Sequence, residues 1–91
     1  MIYFYVYTAD KEKYDRIKKA VEVAKTLKED PVFCVNDLEA IGEVRKHGFK
    51  AMNVDALEDL FSLSDGSDTF YVSTPEDTTY LKAAFADVII I

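Results

Sequence analysis

The chain has few of the residues that usually indicate a disulfide, a phosphate-binding loop or a membrane span. Its single cysteine, Cys34, provides no disulfide framework. Its glycines, Gly42, Gly48 and Gly66, are scattered, which disfavours a Gly-rich nucleotide loop after the first strand-like run. No apolar stretch approaches the roughly 20 residues of a membrane-spanning helix. The chain begins in a strand-like run rather than in a cleavable signal, so we expect a cytoplasmic protein.

The second half of the chain has little positive charge. Residues 51–91 contain one basic residue, Lys82, and eight acidic residues, and the net charge of the chain is −6. An acidic surface repels phosphate backbones and anionic lipid headgroups, so nucleic-acid and membrane-surface partners are not expected. Such acidity usually serves solubility, and it also suits a basic partner or a metal ion.

The chain also has few residues that degrade on heating. Glutamine is absent and asparagine is limited to Asn36 and Asn53, whereas Lys, Glu and Asp are common. A composition biased in this direction is typical of hyperthermophile proteins, so we expect a heat-stable protein.

Five strand-like runs alternate with four helix-like segments. The strand-like runs are rich in β-forming apolar residues and cover residues 2–7, 32–35, 49–54, 68–73 and 87–91. The first helix is predicted over residues 10–29. The later helices are predicted from their start signals: Asn36 with Glu39 as a capping-box partner, Asp55 with Glu58, and Thr74-Pro75. Gly48 is the expected left-handed cap of the second helix.

Apolar residues at helical spacing define the face of each predicted helix that should be buried. These residues are Tyr14, Ile17, Ala20, Val21, Ala24 and Leu27 in the first helix, Leu38, Ile41 and Val44 in the second, Ala56, Leu57, Leu60 and Phe61 in the third, and Tyr80, Leu81, Ala84 and Phe85 in the fourth.

Strands that alternate with single helices predict an α/β fold with right-handed crossovers and a mainly parallel sheet. We expect one domain over residues 1–91, a three-layer α/β/α sandwich with five strands, four helices and no fifth helix. The second strand, 32–35, is apolar on both sides, as an interior strand should be, whereas the third contains Lys50 and Asn53, which suit an edge. These features favour the strand order 3-2-1-4-5, in which four helices suffice, over the alternative 2-1-3-4-5.

The last strand lies at an edge of the sheet in both orders. Soluble proteins usually protect such an edge with Lys, Pro or a bulge, but this strand has only Asp87 before the apolar residues Val88, Ile89, Ile90 and Ile91. We therefore expect the chain to self-associate, most simply as a homodimer, with Val88–Ile91 or the neighbouring sheet face at the contact.

Polar residues follow the predicted strands, and ligands of open parallel sheets bind at this carboxyl edge, where the strand order reverses. Thr8 and Asp10 flank the reversal in both orders. Their partners are Ser73 and Thr74 in the favoured order, or Asn53 and Asp55 in the alternative order. Capping of helix N-termini explains most of these residues. The alternative function is therefore a small enzyme or ligand-binding domain that uses Thr8, Asp10, Ser73 and Thr74, with phosphate or with Mg²⁺ bound by Asp10, Asp55 or Asp77.

No catalytic residue, metal site or cofactor is predicted. Cys34 lies in the middle of a strand, which is typical of a buried core thiol. His47 is expected at the end of the second helix, at the opposite edge of the sheet from Ser73, which disfavours a Ser-His-Asp triad. A tyrosine face formed by Tyr3, Tyr5 and Tyr7, with Tyr71 as a possible fourth member, is expected in the core, where the hydroxyls need hydrogen-bond partners, or as an aromatic contact surface. The favoured function is therefore non-catalytic, acting through self-association or a protein partner.

Overall fold

The computed structural model describes residues 1–91 as five strands, four α-helices and one 3₁₀ turn. The strands are β1 (Ile2–Val6), β2 (Val32–Val35), β3 (Lys50–Asn53), β4 (Thr69–Ser73) and β5 (Asp87–Ile90). The α-helices are α1 (Lys13–Ala24), α2 (Leu38–Lys46), α3 (Leu60–Leu63), which directly follows the 3₁₀ turn Leu57–Asp59, and α4 (Thr79–Ala84).

The strand order is β3-β2-β1-β4-β5, and every neighbouring pair is parallel. This confirms the predicted α/β fold and the favoured order 3-2-1-4-5, with β1 beside β4 at the reversal. Apolar residues on both sides of β2 place it inside the sheet, because a strand covered by helices on both faces needs no polar side.

Each face of the sheet has its own buried cluster. Phe4, Val6, Phe33 and Val35 face α1 and α2, and the rings of Phe4 and Phe33 stack with centroids 4.8 Å apart. Tyr3, Tyr5, Cys34, Phe70 and Val72 face the 3₁₀ turn, α3 and α4. The alternation of side chains along β1 and β2 thus builds two apolar layers from the same strands.

Helix α1 is shorter than the predicted 10–29. Asp10 stays outside the helix, where its side chain accepts a hydrogen bond from the Glu12 N–H. At the other end the Thr26 hydroxyl donates to the Val23 carbonyl at 2.7 Å, which competes with helical hydrogen bonding. Gly48 follows α2 with a φ of 88° and confirms the predicted left-handed cap.

The predicted start of α2 is wrong by one residue, and that of α4 is wrong by several residues, because α4 begins at Thr79. Asp37, not Asn36, caps α2, because the Asn36 side chain bonds Thr8 while the Asp37 side chain accepts from the Ala40 N–H at 3.1 Å. Residues 74–78 form no helix. The side chains of Thr74 and Asp77 instead accept hydrogen bonds from the N–H groups two residues ahead, which makes turns.

Several residues predicted to be buried lie at the surface. Leu38 is 80% exposed, because Ala40 and Val44 face the sheet and Leu38, two residues before Ala40, lies on the opposite side of α2. Tyr14 is exposed on the flank of α1, with its hydroxyl against Glu39. Phe61 and Tyr80 stack on each other between α3 and α4 and remain exposed. Ala84 is also exposed.

Tyr71 is on the opposite face from the one predicted. Tyr3 is paired with Phe70 and Phe4 with Tyr71, so Tyr71 stacks on Phe4 below α1 instead of joining the other tyrosines. Tyr3 and Tyr5 are buried in the opposite cluster, against which Tyr7 packs.

Helices α1 and α2 lie over β1, β2 and β3 and leave the outer part of this face poorly covered. Over β4 and β5 the apolar residues on the α1 side are Tyr71, Ile89 and Ile91. Tyr71 and Ile91 are half-buried, and Ile89 is 36% exposed. The apolar surface on this side of the sheet therefore continues to the border of the molecule.

Candidate functional site

The carboxyl ends of β1 and β2 are joined by a reciprocal pair of hydrogen bonds. The Thr8 N–H donates to Asn36 Oδ1 at 2.7 Å, and the Asn36 N–H donates to Thr8 Oγ1 at 2.8 Å. Thr8 is buried, so both groups are satisfied within the protein rather than by water. The Asn36 amide also donates to the Val54 carbonyl at 3.3 Å, which ties the chain after β3 to the same point.

A second set of polar contacts begins at the buried Tyr5 ring. The Tyr5 hydroxyl donates to Glu76 Oε1 at 2.9 Å and lies 3.4 Å from the Asn36 amide nitrogen. Burial of Tyr5 raises its pKa well above the usual range, and the carboxylate of Glu76 acts in the same direction. The Thr74 hydroxyl donates to the same Glu76 oxygen at 2.7 Å. Glu76 therefore connects the turn after β4 to the ends of β1 and β2.

Asp10 belongs to a separate group around Arg16. Arg16 Nη1 donates to Asp10 Oδ1 at 2.6 Å and to the Tyr7 carbonyl at 3.4 Å, and the guanidinium lies over the Tyr7 ring. The hydrogen bond from Arg16 holds the pKa of Asp10 below its usual value. The carboxylate of Asp10 is thus paired with Arg16 of α1 rather than directed to a ligand.

Lys13 makes a similar connection between α1 and α2. Its ammonium lies 2.8 Å from Asp37 Oδ2 and 3.3 Å from Glu39 Oε1. Partial burial opposes ionisation of Asp37, but hydrogen bonds from Lys13 and from the Ala40 N–H outweigh it and lower the pKa of Asp37. The N-terminal ends of the two helices are thereby held together.

The four predicted ligand-binding residues do not converge on one point. Thr8 bonds Asn36, Asp10 bonds Arg16, and Thr74 bonds Glu76. Ser73 is buried, and its carbonyl accepts from the Tyr7 N–H at 2.9 Å. The structure has no pocket, and no three His, Cys, Asp or Glu side chains are grouped as metal ligands. The use of this edge for a ligand stays a prediction.

Asn36, Glu76 and Arg16 are the residues of this edge that the sequence did not single out as partners. The position of Asn36 directly after a strand predicted that it lies at this edge, where we expected it to cap the second helix. Its bonds to Thr8 were not predicted, because Asn suits both roles.

Cys34 and His47 have the environments expected of them. Cys34 is fully buried, and burial raises the pKa of its thiol to about 12. His47 lies at the end of α2, with Nε2 3.6 Å from Glu43.

The second candidate site is the free edge of the sheet at β5. The Ile91 N–H donates to the Val72 carbonyl at 2.9 Å, so Ile91 directs its backbone toward β4. Backbone groups alternate between the two sides of a strand, so Ile89 also points toward β4, and the N–H and C=O groups of Val88 and Ile90 point outward. Ile90 is 48% exposed on the face that carries α3 and α4, and Ile89 is exposed on the other.

The opposite edge of the sheet is protected. Strand β3 begins with Lys50 and ends with Asn53, both exposed. The Val54 N–H donates inward to Val35, which places the Ala51 carbonyl on the outer side, and Arg45 Nη2 lies 3.5 Å from that carbonyl. Charged side chains and a covered carbonyl are common protections of edge strands, and β5 has neither along Val88–Ile90.

No protein-family model, curated protein or solved structure matches the chain. None of its helices combines the length and the apolar character that crossing a membrane would require.

Proposed function

We propose that the protein is a non-catalytic α/β protein that acts through self-association, as a homodimer joined at β5. The observation that carries the proposal is the unprotected edge: β5 presents outward backbone groups at Val88 and Ile90, beside the exposed side chains of Ile89 and Ile90. An edge of this kind is a template for another strand. A second copy of the same chain is the simplest source of one, because a two-fold contact uses the same surface twice.

The polar contacts at the carboxyl edge support a structural rather than a catalytic role for that edge. Asn36 is hydrogen-bonded to Thr8 and lies 3.4 Å from the Tyr5 hydroxyl, which donates to Glu76. Asp10 accepts a hydrogen bond from Arg16. The same proposal places the protein in the cytoplasm, in keeping with its single free thiol, and expects neither nucleic acid nor membrane as its partner.

The proposal also includes heat stability, on the grounds of composition. Thermal unfolding followed by circular dichroism should give a midpoint above the roughly 45–65 °C of ordinary domains. A midpoint inside that range would contradict this part of the proposal and leave the self-association untouched.

The experiment that tests self-association is sedimentation velocity of the native chain and two variants at high micromolar concentration. The native chain should sediment at about twice its monomer mass of 10.3 kDa. Ile90→Lys should sediment as a monomer, because an edge lysine prefers water and disfavours strand pairing. Leu38→Lys is the matched control: it makes the same kind of change at an 80% exposed leucine on α2 and should stay dimeric.

A native chain that is monomeric under these conditions overturns the proposal. If Leu38→Lys dissociates the dimer and Ile90→Lys does not, the contact lies at α2 rather than at β5.

A further inference from the structure

We infer that two copies pair antiparallel through β5 in a single register, with Ile89 facing the Ile89 of the second copy across the two-fold axis. This inference rests on the proposed function and specifies the contact that it requires. It follows from the direction of the backbone groups, the bonds already made beside β5 and the position of Asp87.

The direction of pairing follows from symmetry. In an antiparallel ladder two opposed residues exchange N–H and C=O groups reciprocally, which a two-fold axis permits. In a parallel ladder each residue bonds two different residues of its neighbour, and a two-fold axis cannot relate two identical strands that bond in this unequal way. A closed dimer through β5 is therefore antiparallel, and the helices of both copies stay on the same sides of the joined sheet.

The register follows from which backbone groups are available. In a register centred on Ile89, the outward backbone groups of Val88 bond those of Ile90 in the second copy. The two-fold axis repeats this pair, so every outward N–H and C=O of Val88 and Ile90 is bonded. Centred on Val88, the second reciprocal pair would need Ala86, whose N–H already donates to the Gly66 carbonyl at 3.0 Å. In a register centred on Ile90, the only hydrogen-bonded pair within β5 is Ile90 with the Ile90 of the second copy.

The charge of Asp87 favours the same register. Asp87 is the single charged side chain of β5, and it accepts a hydrogen bond from Thr69 at 3.0 Å. With Ile89 at the axis, the two copies of Asp87 lie about 14 Å apart, beyond the ~8 Å screening length of physiological salt. With Val88 at the axis they come to about 8 Å, where like charges still repel.

The inferred contact also buries the exposed apolar residues of the strand. Ile89 opposes its own copy at a non-hydrogen-bonded position, where Cα atoms of opposed residues are about 4.5 Å apart and side chains touch. Val88 and Ile90 oppose each other on the face of α3 and α4. The exposed apolar side chains of β5, those of Ile89 and Ile90, thereby gain apolar neighbours.

Disulfide trapping in the full chain tests the register. The variants are Val88→Cys, Ile89→Cys and Ile90→Cys, each oxidised mildly and separated without reductant. The native Cys34 is fully buried and does not interfere. Ile89→Cys should give a several-fold larger disulfide-linked fraction than either other variant, because its Cα–Cα distance of about 4.5 Å permits a disulfide. Two copies of Cys at position 88, or at position 90, would be about 8 Å apart, beyond the ~7 Å limit.

A mixture of Val88→Cys and Ile90→Cys chains, one of them carrying a mass tag, provides a second measurement. It should give a disulfide-linked mixed dimer and little of either self-linked dimer. Ile89→Pro and Ile90→Pro complete the test, because residue 90 directs its N–H outward and residue 89 directs its N–H to β4. Ile90→Pro should lose the dimer and keep the fold, whereas Ile89→Pro should also lower the melting temperature.

The outcomes separate the register from the proposed function. Efficient self-linking of Val88→Cys or Ile90→Cys overturns the register and leaves a dimer through β5. A native dimer in which none of the three cysteines is linked places the contact away from β5. A native chain that is monomeric at high micromolar concentration overturns the proposed function and this inference together.

Discussion

Thr8 and Asn36 exchange two hydrogen bonds, at 2.7 and 2.8 Å, across the carboxyl ends of β1 and β2. The two residues are 28 positions apart in the chain, so the pair joins the ends of β1 and β2 in the first βαβ unit. Thr8 is 2% exposed, so its groups could not obtain an equivalent bond from water without opening the sheet edge. The pair therefore stabilises the strand-end arrangement on which the helix starts of α1 and α2 depend.

Replacing Thr8 by Val should destabilise the protein by about 1–3 kcal/mol, because the side chain keeps its shape while the partly buried Asn36 N–H loses its acceptor. Urea unfolding followed by circular dichroism gives the free energy of unfolding. The control is Thr78→Val, since the Thr78 side chain makes no capping bond, and it should change the free energy by less than about 0.5 kcal/mol. Equal effects of the two changes would show that the Thr8–Asn36 pair contributes no stability.

Stability should fall in acid because several aspartates have lowered pKa values in the folded chain. Hydrogen bonds from Arg16 and from the N-terminal ammonium lower the pKa of Asp10 and of Asp68. A carboxyl group whose pKa is lower in the folded state stabilises the fold above its unfolded value, 3.8 here, and this contribution is lost as the pH falls toward the folded value.

The melting temperature should therefore decrease between about pH 5 and pH 2. Asp68→Asn should reduce this decrease, because it removes the group that binds the N-terminal ammonium at 2.9 Å. The control, Asp55→Asn, removes one exposed carboxylate and keeps the ion pair between Asp68 and the N-terminal ammonium, so the decrease in melting temperature should remain. A melting temperature that is constant down to pH 2 would contradict the prediction.

Stability should also fall in alkali, through Cys34. Burial raises the pKa of its thiol from 9.0 to about 12, so the folded chain favours the neutral thiol. A group whose pKa is raised on folding stabilises the fold below its unfolded pKa, and the contribution is lost as the pH rises from about 9 toward 12. Cys34→Ala should be less stable than the native chain at pH 7 and should lose less stability between pH 8 and pH 11, as measured by urea unfolding. Parallel loss in both chains would show that Cys34 does not titrate in this way.

The fold could be predicted from the sequence because the relevant signals are local. Strand-like runs alternate with amphipathic segments, and apolar residues on both sides of β2 together with Lys50 and Asn53 in β3 indicated which strand lies inside. The face of Tyr71 could not be predicted in the same way. Phe70, Tyr71 and Val72 are all apolar, so alternation gives no sign of which residue faces α1.

The polar edge could be predicted only as a set of positions. Thr8, Asp10, Ser73 and Thr74 were placed there by the ends of the strands, but their partners depend on register and on helix starts. Asn36 and Asp37 are equally good caps, and the choice was made by a contact between Asn36 and Thr8, which is distant in sequence. Glu76 reaches the Tyr5 hydroxyl because Thr74 and Asp77 form turns in place of the predicted helix start.

The two glycines of the α2 region should respond to alanine in opposite directions. Gly48 has a φ of 88°, where a side chain is strained even though no atom lies within 4 Å of a new Cβ. Gly48→Ala should therefore cost about 1 kcal/mol of unfolding free energy. Gly42 lies inside α2, and a Cβ there also meets nothing within 4 Å, so Gly42→Ala should stabilise the chain by about 0.5–1 kcal/mol through its helix propensity.

Urea unfolding of both variants at one pH gives the two changes in the free energy of unfolding. The comparison is direct if the dependence of that free energy on urea concentration is the same as in the native chain. Because both glycines lie at the surface and neither substitution meets a neighbouring atom, packing cannot account for a difference in sign. A stabilising effect of Gly48→Ala would mean that α2 does not end in the left-handed conformation. The chain between α2 and β3 would then follow a different path, and Lys50 and Arg45 would not lie along the protected edge as described.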